Sequence, residues 1–204
     1  TNLFLFLVCD LLPEPGFGQL ALLRLGSRRA WWLAKCLVLA VSVIAYTIFV
    51  TGIVVAFAAF VFPVEFAWST LATATPESLN IPLFTPRNSA AMLIISQTLL
   101  LLMLGWFSLG LLMMVVTQWS RRFLVGYLAT LAVLMASFAM NWISNPADWI
   151  KLFIYKHLMF NHFPLPFRDI PVHLSLLYWV AWLACLSALG FYLSQRQDHF
   201  ATRH

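Results

Sequence analysis

Hydrophobic residues in this chain fall in long blocks separated by short polar or proline-rich breaks, and the blocks predict helices of membrane-spanning length. Trp31 to Phe62 is apolar except for Lys35 and scattered Ser, Thr and Tyr, and is about 48 Å long if fully helical. That exceeds the roughly 30 Å of a hydrocarbon core, so this helix tilts or projects beyond it. Asn88 to Thr117, Phe123 to Asn141 and Val172 to Leu193 are the further predicted spans. Thr1 to Val8 is apolar but covers only about a quarter of a bilayer, and it reads as the tail of a span whose beginning is missing.

The breaks differ in character. Residues 63–87 carry Pro63, Pro76, Pro82 and Pro86 with Glu65 and Glu77, a composition that ends helices and favours water. Between the second and third full spans only Gln118 to Arg122 intervene, so those two helices must be antiparallel neighbours. Residues 142–171 are too apolar for a solvated linker yet are interrupted by Pro146, Pro164, Pro166 and Pro171. Within them Ala147 to Phe160 suits an interfacial or re-entrant helix near the headgroups.

One stretch departs from this alternation. Phe17 to Lys35, FGQLALLRLGSRRAWWLAK, is only partly apolar and is the densest basic cluster, with Arg24, Arg28, Arg29 and Lys35. Gly26 followed by Ser27 predicts a short helix ending at the glycine and a second helix capped by the serine oxygen. Arg28 and Arg29 then lie in a first helical turn, where the macrodipole disfavours cations, so local helix energetics do not explain them. Lipid phosphates, the positive-inside bias or an acidic partner are the open explanations. The face shared by Phe17, Ala21, Arg24 and Arg28 mixes apolar and basic groups, which favours contact with protein over a helix lying on lipid.

Composition sets the class. The chain is 62% hydrophobic and 9% charged, with mean hydropathy +0.88, whereas soluble domains carry about 25% charge. It is an all-α integral membrane protein with one transmembrane domain. The net charge of +5 does not signal nucleic acid, because the basic residues border the apolar blocks and form no aromatic-interleaved groove. Arg24, Arg28, Arg29, Lys35, Arg121, Arg122, Arg196 and Arg203 fall on one side of the alternation, with Arg87, Lys151, Lys156 and Arg168 on the other. Eight bases against four put the first group, and the polar tail at 194–204, in the cytoplasm. Cys9, Cys36 and Cys185 are odd in number and widely spaced, and read as inert buried thiols.

No sequence signature of a hydrolase, a zinc protease or a phosphate-cradling loop is present, and no carboxylate lies inside a predicted span. His157, His162 and His173 with Asp169 match no metal-ligand spacing. The polar residues within the spans include Tyr46, Thr47, Thr51, Gln97 and Ser137; glue between helices and contact with a transported substrate are both open to them. Gly52 to Ala56 offers a small-residue face.

The order of these parts, with the segment QLALLRLGSRRAWWLAK, resembles the permease subunit of ABC-2 type transporters. The resemblance implies a type V exporter-like helical bundle on a six-span plan, with the first span and most of the second absent from this chain. It implies that residues 9–30 are a cytoplasmic coupling segment docking on an ABC ATPase subunit through Gln19, Leu22, Arg24, Ser27, Arg28 and Arg29. It also implies a second permease subunit, identical or related, and a substrate path along Tyr46, Thr47, Thr51, Gln97 and Ser137. No cofactor is expected in this chain; ATP and Mg belong to the partner subunit. The setting implied is a bacterial plasma membrane, with the C-terminus cytoplasmic. A membrane-embedded lipid-processing enzyme and a structural or assembly subunit are the rival readings.

Overall fold

The computed structural model describes residues 2–8, 27–61, 91–139 and 172–196, all of them helical apart from Ser27 and the turn at Arg121 and Arg122. The helices are α1 (Asn2–Val8), α2 (Arg28–Val61), α3 (Ala91–Ser120), α4 (Phe123–Ala139) and α5 (Val172–Arg196). Among the described residues there is no strand. The coupling-segment positions 9–26, both loops at 63–87 and 142–171, and the tail beyond Arg196 lie outside them.

Three helices, α2, α3 and α5, are long and apolar enough to cross a membrane. At 34 residues α2 is about 51 Å long, so the overlong helix read from the sequence is present. The 17 residues of α4 reach about 26 Å, close to the lower limit for a span. Two boundaries move outward from the expected ones. α3 runs to Ser120 rather than Thr117, and α5 runs to Arg196, so Ser194, Gln195 and Arg196 belong to the helix rather than to a polar tail.

α3 is the axis of the bundle, in contact with each of the other four helices. Its buried positions include Leu101, Trp106, Ser108, Leu109, Leu111, Met113, Met114, Val115, Thr117 and Gln118, which go all round the helix rather than along one stripe. α2 buries a stripe, Trp32, Leu39, Val43 and Thr47, and turns Leu33, Leu37, Ile44 and Ile48 outward. Such an apolar exterior suits lipid, where association comes from packing rather than from exclusion of water. From Gly52 to Val61 every position of α2 is exposed, and a Cβ added at Gly52 meets nothing within 4 Å. The small-residue face from Gly52 to Ala56 is therefore exposed, with open space at Gly52 itself.

Close helix contacts are made where one partner is glycine. A Cβ at Gly126 would strike Thr117 Oγ1 and lie 2.8 Å from the Met113 carbonyl oxygen, which draws α4 tightly against α3 as the short turn predicts. A Cβ at Gly190 would fall on the Trp32 ring, and one at Gly110 would lie 2.6 Å from Leu39 Cδ1. The α3–α4 turn closes through Arg121, which takes a left-handed φ of 56°. The Ser120 hydroxyl accepts the Arg122 N–H at 3.3 Å, and the Arg122 carbonyl accepts the first free amides of α4, from Val125 and Gly126.

These contacts also set helix direction. Moving along α2 away from Arg28, Trp32 meets Gly190 near the end of α5, Leu39 meets Gly110, and Tyr46 meets Trp106. α2 is thus antiparallel to both α3 and α5. Leu39 lies 11 residues from Arg28 and Gly110 lies 11 residues from Arg121, about 16 Å in each case, so the two arginines are level. Arg28, Arg29, Arg121, Arg122 and Arg196 therefore share one end of the bundle.

Candidate functional site

The basic end is built around the start of α2. Ser27 Oγ accepts the Ala30 N–H at 3.1 Å, and the Ser27 carbonyl accepts the Trp31 N–H at 3.2 Å. This is the serine cap expected from the sequence, and it satisfies one of the orphan amides of the first turn. Arg28 and Arg29 follow at the positions where the dipole of α2 opposes them.

Their placement is explained by another helix. Arg28 Nη1 donates to the Gln195 carbonyl oxygen at 2.6 Å, across 167 residues of sequence. That oxygen is among the last four of α5, which have no partner inside their own helix. The guanidinium thus caps α5 from outside, at the end where the dipole of α5 favours a cation. Arg29 lies over the Phe191 ring at 5.7 Å, and Arg196 over Tyr192 at 4.6 Å. Lys35 lies over Trp31 at 5.9 Å, one turn further into α2. Three guanidinium groups consequently gather about the last two turns of α5. The positive-inside bias counts these charges, but it does not foresee the bond from Arg28 to α5.

Of the expected coupling residues, Gln19, Leu22 and Arg24 lie outside the described residues. Ser27, Arg28 and Arg29 are described and lie together, with Arg29 exposed and Arg28 half-buried. Arg28 has its hydrogen bond within the chain. Sequence reasoning put Arg196 on this side but read it and Gln195 as polar tail, and so missed that both belong to α5; the available signal was the cation in the last helical turn.

The five expected path residues are not gathered in the same way. Tyr46 packs edge-on against Trp106, with centroids 4.8 Å apart, and tilts against Phe4 at 5.3 Å. Trp106 Nε1, buried in this aromatic cluster, has no hydrogen-bond partner. Thr47 is buried and donates to the Val43 carbonyl of its own helix at 2.7 Å. Ser137 donates likewise to Val133 at 2.7 Å. These hydroxyls bond backward along their own helices and do not join one helix to another. Thr51 and Gln97 are half-buried. Cys36 is half-buried and Cys185 is exposed on α5, so Cys185 is not the buried thiol expected. His157, His162 and Asp169 fall outside the described residues, and His173 is exposed near the start of α5.

Comparison with protein-family models, curated proteins and solved structures finds no match to this chain.

Proposed function

We propose that the chain is the membrane-spanning permease subunit of an ATP-driven transporter of the ABC-2 type, a type V exporter-like bundle in a bacterial plasma membrane with a cytoplasmic C-terminus. The observation that carries this reading is the tie from Arg28 to the Gln195 carbonyl behind the Ser27 cap. A push on the segment before Ser27 is delivered to α2 and α5 together and is not absorbed by a slack junction. An ABC ATPase holding ATP and Mg supplies that push through Gln19, Leu22 and Arg24, with Arg29 exposed beside them in sequence. A second permease subunit, identical or related, completes the path, and Tyr46, Thr51 and Gln97 are this chain's half-buried candidates for lining it. Coupling needs an ATPase contact that differs between the nucleotide states, since a contact equally strong in both shifts nothing.

Arg24 is the right position for the test, because replacing Arg28 also breaks its bond to α5. Reconstituted with its ATPase, the Arg24→Glu variant is expected to insert and fold normally while losing ATPase binding and ATP-driven transport. Unchanged binding and transport would remove the docking role. A second reading, a structural or assembly subunit, draws support from Thr47 and Ser137, whose hydroxyls are engaged by their own helices. In that case partner chains bind with no change between nucleotide states.

A further inference from the structure

The described residues contain no aspartate or glutamate, and all six of their cationic side chains lie toward one end of the bundle: Arg28, Arg29, Lys35, Arg121, Arg122 and Arg196. Asp10, Glu14 and Asp198, the acids nearest in sequence to this end, are outside the described residues. Three of the six cations crowd the last two turns of α5. The C-terminal dipole of α5 supplies only about half a negative charge to offset them. Arg28 directs a guanidinium N–H to the Gln195 carbonyl, whereas Arg29 and Arg196 are exposed, their guanidinium carbons 5.7 Å and 4.6 Å from the Phe191 and Tyr192 ring centroids. An exposed guanidinium offers a phosphate both its positive charge and N–H groups that donate to the phosphate oxygens.

The depth of this cluster selects the source of the phosphate. Tyr192 and Trp119 are exposed at the same end, 49% and 72% respectively. Exposed amphipathic rings at the end of apolar spans sit at headgroup level. We propose that Arg29 of α2 and Arg196 of α5 bind the phosphate of an anionic membrane phospholipid, which bridges the two helices beside the Arg28 contact. This holds whether or not the chain is a permease. The bound lipid supplies the counter-charge that the described residues lack and steadies the junction of α2 with α5.

The test uses the full chain in mixed micelles of phosphatidylglycerol and phosphatidylcholine, with retained lipid counted by native mass spectrometry. The wild type is expected to keep phosphatidylglycerol preferentially, and millimolar inorganic phosphate is expected not to displace it. Two basic side chains at a lipid surface are together worth about thirtyfold in binding, so Arg29→Gln with Arg196→Gln should abolish most of the preference. Arg121→Gln with Arg122→Gln should keep it. The Arg29→Lys, Arg196→Lys pair keeps the charge and should hold most of the preference, which separates lost charge from lost fold. Equal preference in the Gln pair and the wild type overturns the proposal, as does equal loss in both Gln pairs, which marks a diffuse basic field. Displacement by inorganic phosphate also overturns it. A Gln pair that loses ATPase binding but no lipid selectivity assigns the cluster to an acidic protein surface instead.

Discussion

Gly126→Ala is the substitution for which the packing gives the sharpest expectation. Its new methyl group would collide with Thr117 Oγ1 and lie 2.8 Å from the Met113 carbonyl oxygen. The threonine can rotate away, but the carbonyl belongs to the α3 backbone and moves only if the helices part. Such overpacking costs about 1–3 kcal/mol. The helix-propensity gain of alanine over glycine offsets about 1 kcal/mol of that, leaving a net destabilisation of up to about 2 kcal/mol. The same change at Gly52, where nothing lies within 4 Å, has the gain without the clash and should be neutral or stabilising by up to about 1 kcal/mol. Equilibrium unfolding in mild detergent titrated with dodecyl sulfate, followed by circular dichroism, measures both. Adding Thr117→Ala to Gly126→Ala should recover part of the loss. Thr117 Oγ1 is buried without a hydrogen-bond partner, so removing it sacrifices little. A Gly126→Ala protein stabilised as much as the Gly52→Ala protein would show that α3 and α4 do not approach as closely as described.

Two shorter predictions test the ends and the exterior. Ser27→Ala should cost about 1 kcal/mol and speed amide exchange at Ala30 while leaving α3 and α4 unaffected; unchanged exchange there would deny the cap. With Cys9 and Cys36 replaced, a nitroxide on Cys185 should collide readily with oxygen and rarely with a polar nickel chelate, because α5 turns that position toward lipid; the opposite ranking would place this face in water.

Much of the fold was legible in the chain because lipid simplifies the code. An apolar block long enough to cross, bounded by proline or charge, has few alternatives to a helix, and the start of α4 and of α5 fell where the sequence indicated. Ser27 was legible for a local reason: a serine before a helical run places its oxygen over the first amides. The end of α5 was not legible, because Ser194, Gln195 and Arg196 resemble a solvated tail. Their helicity is supported by Ser194 donating to the Phe191 carbonyl and by Arg28 reaching Gln195. No local pattern announces a contact between residues so far apart in sequence. The centrality of α3 was hidden similarly, since a helix apolar all round reads the same whether lipid or protein surrounds it. Within the candidate path, composition revealed which residues are polar but not where their hydroxyls point, and Thr47 and Ser137 turn back onto their own helices.

The central claim is that the arginine-bearing start of α2 is where an ATP-hydrolysing partner acts. Photo-crosslinking from Leu22 and from Arg24 in intact membranes, with and without trapped nucleotide, addresses it most directly. The account predicts an adduct with an ABC ATPase whose yield changes with nucleotide state. Adducts with lipid alone, or reaction of these positions with an impermeant reagent from outside the cell, would contradict it.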